Sequence, residues 1–182
     1  MSNSERSDTQ APLLDGASKR EQSVTTDWSV LTDPIEGVEL KEIRSVIKKN
    51  GYLTEIYRTD WNLDDKGVDQ AFQVLVNPGS TEAWHVHKTT TDRFFVSSGR
   101  ILLVLYDSRE GSRSFGRINE FHMGIERPTL VVVPPGVWHG IQNIGSEAAV
   151  LINLVDEAYV YRSPDHWSLP ADTDQIPYRF QT

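Results

Sequence analysis

The sequence predicts an all-β domain, either two packed antiparallel sheets or a closed barrel, behind a disordered N-terminal tail. Three observations carry this. From Gly37 onward, short runs rich in Val, Ile, Leu, Tyr and Phe alternate with clusters of Gly, Pro, Asn and Asp. The only helical candidate is short, around Pro164 to Trp167. Residues 1–30 are mostly polar, with only Leu13 and Leu14 as adjacent apolar neighbours, too little to repay the entropy of ordering.

Each expected strand is bounded by residues that break regular structure. Val38 to Arg44 follows Gly37, and Tyr52 to Arg58 follows Asn50-Gly51. Asp69 to Asn77 runs up to Pro78-Gly79, while Trp84 to Lys88 and Arg93 to Val96 precede Gly99. Arg100 to Asp107 and Gly116 to Met123 flank DSREGSRSFG, a turn-rich hairpin connection. Thr129 to Val133 follows Pro128, Val137 to Asn143 follows Pro134-Pro135-Gly136, and Ala148 to Val155 follows Gly145.

A chain of 182 residues with 38% hydrophobic content fits one domain with its own core, here residues 31–182. Without cysteine there is neither a disulfide frame nor a thiolate ligand, so any metal must be held by nitrogen and oxygen donors. The formal charge of -8 argues against nucleic acid, whose backbone calls for a basic face, and favours a small-molecule substrate. No apolar run reaches the length of a membrane span and no signal-peptide core is visible, so a cytoplasmic protein is expected.

Two spaced motifs carry the chemistry: Gly79-x5-His85-x-His87-x4-Asp92-x6-Gly99 and Pro134-x-Gly136-x2-His139-x3-Asn143. Histidines two apart on a strand share a face. His85, His87, Asp92 and His139 thus form a candidate ligand set for one divalent metal, iron, manganese, nickel, copper or zinc, with positions left for water or substrate. His122 lies outside both motifs and reads as a surface or packing residue.

Both motifs resemble the conserved pair of the cupin superfamily, which implies a jelly roll, the double-stranded β-helix. The family usually has Glu where Asp92 stands and Gly where Pro128 stands. From Gly37 to Phe180 the chain also resembles the dTDP-4-dehydrorhamnose 3,5-epimerase (RmlC-like) family. That likeness rests on GVELKEIRSVIKKNGYLTEIYR, Gln70, DSREGSRSFG, VVPPGVWHG and SPDHWSLPADTDQIPYRF. It implies action on a nucleotide-linked 4-keto-6-deoxy sugar and assembly as a homodimer.

In that family a histidine supported by an aspartate removes a proton beside the keto group, and a tyrosine returns one. The resemblance implies His85 as the base. It sets Glu82, His87, Asp92 and Ile152 where the family keeps arginine, glutamine, lysine and tyrosine, and aligns Asp172 with an acidic tail position. A divalent ion would then supply the positive charge that the missing Arg and Lys gave.

Tyr159 and Tyr161 are the expected substitute proton donors, and Gln70, Tyr57 and Glu82 the expected substrate wall. Trp84 and Trp138 read as packing residues. Three functions follow: a metal-dependent epimerase or isomerase on a keto sugar, a non-haem iron dioxygenase, or a non-catalytic sugar- or metabolite-binding module.

Overall fold

Residues 100–107 show why this chain folds as layered sheets. Ile101, Leu103 and Leu105 join one buried cluster, while Leu102 and Val104 join another on the opposite face. A strand covered on both sides reads as a continuous apolar run rather than an alternating one. The computed structural model describes residues 13–19, 22, 24, 26 and 33–181.

The chain divides into two compact units, 1–33 and 34–182. In the first, the backbone turns at Leu14, whose carbonyl accepts from Ala17 N at 3.1 Å, and Leu13 and Leu14 are exposed. The disordered tail expected over 1–30 falls largely outside the described residues.

The second unit carries twelve strands among its described residues. They are β1 Glu39–Glu42, β2 Val46–Lys48, β3 Gly51–Leu53, β4 Gln70–Val76, β5 Thr81–Val86 and β6 Asp92–Ser98. β7 Arg100–Asp107, β8 Ile118–Gly124, β9 Thr129–Val133, β10 Val137–Asn143, β11 Ala149–Val155 and β12 Trp167–Ser168 complete them. Two five-stranded sheets result, β1-β9-β6-β11-β4 and β12-β5-β10-β7-β8, with β2-β3 as a separate hairpin. Every pairing is antiparallel. This is the jelly roll anticipated from the motifs.

Between the sheets lies the main core, which includes Phe94, Val96, Leu103, Leu105, Val131 and Leu151. The outer face of the first sheet is covered by Ile56, Tyr57, Trp61 and Leu63 against Phe95, Leu130 and Ile152. The C-terminal segment covers the second sheet, packing Ile176, Tyr178 and Phe180 with fully buried Trp84 and half-buried Trp138. Both tryptophans are packing residues, as expected.

Two motif residues shape corners. Gly99 joins β6 of one sheet to β7 of the other at φ +74°, and a Cβ there would meet the Ala149 Cα at 2.8 Å. Only glycine meets both demands. Asn143 donates to the carbonyls of Val76 and Glu147, each at 2.8 Å, and accepts from Gly145 N at 2.9 Å, pinning the turn after β10.

Three local expectations differ from what is seen. Residues 164–167 form no helix: the segment is irregular and then pairs Trp167 and Ser168 with Val86 and His85 of β5. Cross-strand bonding outweighs any four-residue helix, which has too few internal hydrogen bonds to hold itself. The strand expected from Tyr52 ends at Leu53, because Ile56 and Tyr57 turn onto the outer face ahead of a 3-10 turn at Thr59–Trp61. The strand expected over Val38 to Arg44 ends at Glu42. No helix among the described residues is long and apolar enough to cross a membrane.

Candidate active site

At one end of the space between the sheets, a cavity of about 420 Å³ takes the place of apolar core. Phe72, Val74, Leu151 and Val155 form an apolar side, and His85, His87, Asp92 and His139 a polar one. The histidines reach it by different routes. His139 lies inside β10, whose neighbour β5 carries His85 as its Cα partner. His87 follows the end of β5, and Asp92 opens β6.

A register shift in β5 brings in a further group. His139 faces His85 but Ile141 faces Glu82, so three residues of β5 span what two residues of β10 span. The extra residue inverts the in–out alternation. Glu82 and His85, an odd number apart, therefore both line the cavity.

Three side-chain atoms converge on one point. His87 Nε2 and His139 Nε2 lie 3.5 and 3.7 Å from Asp92 Oδ2. Each imidazole has its other nitrogen committed: His87 Nδ1–H donates to the Asp165 carbonyl, and His139 Nδ1–H to the Val137 carbonyl at 3.3 Å. Because a carbonyl can only accept, both Nδ1 atoms carry the hydrogen, and a ring with no second proton turns its Nε2 lone pair toward the carboxylate. Facing acceptors repel unless a cation or a proton lies among them.

The electrostatics agree with that reading. Asp92 is almost fully buried, and its removal from water raises its pKa despite a 2.7 Å hydrogen bond from Asn153 Nδ2 to Oδ1. Burial, with His87 and His85 nearby, lowers His139 to about 3 and so keeps it neutral. Two imidazoles and one carboxylate, with outer partners holding the rings, fit a divalent metal by donor type and second-sphere support.

His85 stands apart from this trio. Its Nδ1 lies 3.0 Å from Nε2 of His166, a residue the motifs do not mark. Burial, followed by the positive charge His166 and His87 can carry, lowers the pKa of His85. His166 is lowered chiefly by burial as well. His166 comes from the irregular segment before β12, so no regular spacing ties it to the other histidines; its place in the SPDHWSLP stretch was the one available signal.

The remaining expected residues divide. Gln70 and Tyr159 line the cavity and meet each other, the Gln70 side-chain carbonyl accepting from Tyr159 N at 2.9 Å. Tyr161 does not line it; it is 88% exposed, with its ring 5.5 Å from that of Tyr159. Tyr57 is on the far side of the first sheet, packed with Ile152 and beneath the Arg93 guanidinium at 5.7 Å. Tyr57 therefore lies away from this cavity rather than in its wall, as the alternation along β6 requires: Asp92 and Phe94 face inward and Arg93 outward.

Ile152, at the position aligned with the family tyrosine, also faces outward, and Asn153 takes the inward place. Asp172 is exposed, and it is His166 that meets His85. His122 is exposed on β8.

A double-sheet jelly roll with a histidine and carboxylate pocket at one end defines a cupin. A family model described as the polysaccharide biosynthesis C-terminal domain matches residues 47–167. The "Probable low-salt glycan biosynthesis epimerase Agl13" of Haloferax volcanii is 33% identical over 139 residues, 76% of this chain and 89% of that protein. The spore coat polysaccharide biosynthesis protein SpsL of Bacillus subtilis is 31% identical over 148 residues, 81% and 97% of the two chains. A solved dTDP sugar isomerase from Desulfovibrio desulfuricans G20 superposes with a TM-score of 0.75 at 29% identity, covering 82% of this chain and 94% of that one. The chain belongs to this polysaccharide-biosynthesis family of RmlC-like cupins, and is an epimerase-like enzyme.

Proposed function

We propose that the protein is a sugar-nucleotide epimerase or isomerase that moves a proton beside the keto group of a dTDP-4-keto-6-deoxyhexose type of substrate. The reading includes one divalent metal, of the iron, manganese, nickel, copper or zinc type, held by His87, Asp92 and His139. The convergence of three acceptor atoms at the cavity wall is the observation that carries the metal. The printed names of the Haloferax and Desulfovibrio relatives support the reaction class.

A bound divalent ion supplies Lewis-acid stabilisation of negative charge developing on a substrate oxygen. The chain's own residues do the rest. His85, neutral and with Nδ1 committed to His166, presents Nε2 as the general base. Tyr159 is the proton donor that the cavity offers in place of the missing family tyrosine. Gln70 has its carbonyl committed to Tyr159 N, leaving its amide N–H groups for sugar hydroxyls, and Glu82 can accept from them. Phe72, Val74, Leu151 and Val155 offer the deoxy carbon an apolar wall and exclude water.

The test is incubation of the metal-loaded protein with dTDP-4-keto-6-deoxyglucose in deuterated water. Solvent deuterium at a carbon next to the keto group is expected, and its loss in His85→Ala. An unlabelled, unchanged sugar would refute the proposal. One observation favours a second reading: two histidines and one carboxylate are the donor set of non-haem iron oxygenases. Oxygen consumption by the ferrous-loaded protein with substrate would select it.

A homodimer is also part of the proposal, supported by the apolar surface that Val46, Ile47, Tyr52 and Leu53 expose on the β2-β3 hairpin. Light scattering in solution is expected to give about twice the chain mass.

A further inference from the structure

We infer that the Asp165–His166 dipeptide assigns the two histidines of the His85-x-His87 motif to different tasks, turning His87 toward Asp92 and His139 while holding His85 out of that cluster. This deepens the metal reading above. Residues two apart at the end of one strand share a face, so local geometry alone would let both rings approach the same centre. The rings of His85 and His87 are indeed 6.1 and 5.5 Å from that of His139. What separates them is the bond each makes at Nδ1.

Both bonds come from adjacent residues. The Asp165 carbonyl accepts from His87 Nδ1, which leaves the His87 Nε2 lone pair aimed at Asp92. His166 Nε2 meets His85 Nδ1 at 3.0 Å, and the His166 ring lies close to both, 4.8 Å from His85 and 5.3 Å from His87. Both rings keep a free Nε2, so the difference lies in where each bond holds the ring: His87 joins Asp92 and His139 in one group of ligand atoms, and His85, tied to His166, stands outside it. His85 is thereby kept as a base and His87 becomes a ligand.

The dipeptide is built to stay in place. The Asp165 carboxylate accepts from the backbone N–H groups of Lys88, Thr89 and Thr90 at 2.8, 2.8 and 3.1 Å, fastening it to the residues that follow His87. Next to His166, Trp167 and Ser168 pair with Val86 and His85, and Lys88 Nζ sits 4.1 Å above the Trp167 ring. Backbone pairing, a carboxylate clamp and a cation–π contact fix a segment with no helix or long strand of its own. His166 is a positioning residue: it acts through His85.

Two measurements on the full chain test this. In metal-free protein labelled with 15N at histidine, long-range 1H–15N spectra are expected to show His87 and His139 protonated at Nδ1. His166→Ala should shift the ring nitrogens of His85 and leave those of His139 in place, and His166→Gln, which keeps a hydrogen-bonding group, should restore the wild-type pattern. Unchanged His85 nitrogens in His166→Ala would overturn the inference.

Cobalt(II) titration followed by its visible spectrum then reads the ligand set. Wild type and His85→Ala are expected to agree within about twofold in affinity and to share one spectrum. His166→Ala should alter that spectrum, and His85→Ala/His166→Ala should return it to the wild-type form. A tenfold or greater loss of cobalt affinity in His85→Ala alone would make His85 a ligand and overturn the assignment. Failure of the wild type to take up cobalt would instead sink the metal reading, with the ring-nitrogen shifts still deciding how the dipeptide orients the two histidines.

Discussion

Replacing Asn153 by alanine strikes the support of the site rather than its donors. Asn153 is buried on β11, and its amide serves two neighbours on β6: Nδ2 donates to Asp92 Oδ1 at 2.7 Å, and Oδ1 accepts from Arg93 N at 3.0 Å. Arg93 is fully buried and Asp92 nearly so, so water cannot readily replace either bond. Leaving a buried polar group without a partner costs about 1–3 kcal/mol, and here there are two, giving roughly 2–6 kcal/mol. For a domain of this size each kcal/mol lowers Tm by about 2–4 °C, so a drop of roughly 4–24 °C is expected in a thermal melt followed by circular dichroism. The same change removes the hydrogen bond that favours ionised Asp92, whose pKa burial already raises, so metal affinity should fall as well. A Tm within 1 °C of wild type would refute the claim that Asn153 holds this corner.

Two further predictions follow from the same geometry. In metal-free protein His139 has its pKa lowered to about 3 by burial, against an ordinary value of 6.5, so the unfolded state binds the extra proton between those limits. Stability should therefore fall as pH drops below about 6.5, with a limiting slope of about 1.4 kcal/mol per pH unit. The raised pKa of Asp92 works the other way, favouring the folded state as it protonates. Urea melts of His139→Gln should show a flatter decline between pH 6.5 and 4 than wild type, and an equal decline would count against His139 as the source. Gly99→Ala places a Cβ at 2.8 Å from Ala149 in a backbone at φ +74°, which should cost roughly 1–3 kcal/mol by denaturant unfolding. An unaffected midpoint would show that the corner relaxes freely.

Much of the site was legible because its signals are local. The glycines at turns, the two-residue spacing of His85 and His87, and the Pro-rich turn before His139 all constrain the backbone within a few residues. What was not legible came from surfaces that meet across the fold. Tyr57 looked available because a sequence records strand residues but not the phase of their alternation, and it packs with Ile152 on the outer face. Glu82 was named for the substrate wall, but the register shift of β5 against β10 that brings it to the cavity is a consequence of pairing between distant segments. His166 belongs to a stretch whose only regular structure is borrowed from β5.

By itself, then, the sequence determined an all-β layered fold and the donors a metal would need, because strand periodicity and turn chemistry act over a few residues, while the jelly roll was what the cupin resemblance implied. The tertiary structure alone decided how those donors are divided: His87, Asp92 and His139 together, His85 with His166. The physical reason is that a histidine's task is set by the partner of its other nitrogen. Here both partners come from a segment some eighty residues further along the chain, which only folding brings alongside.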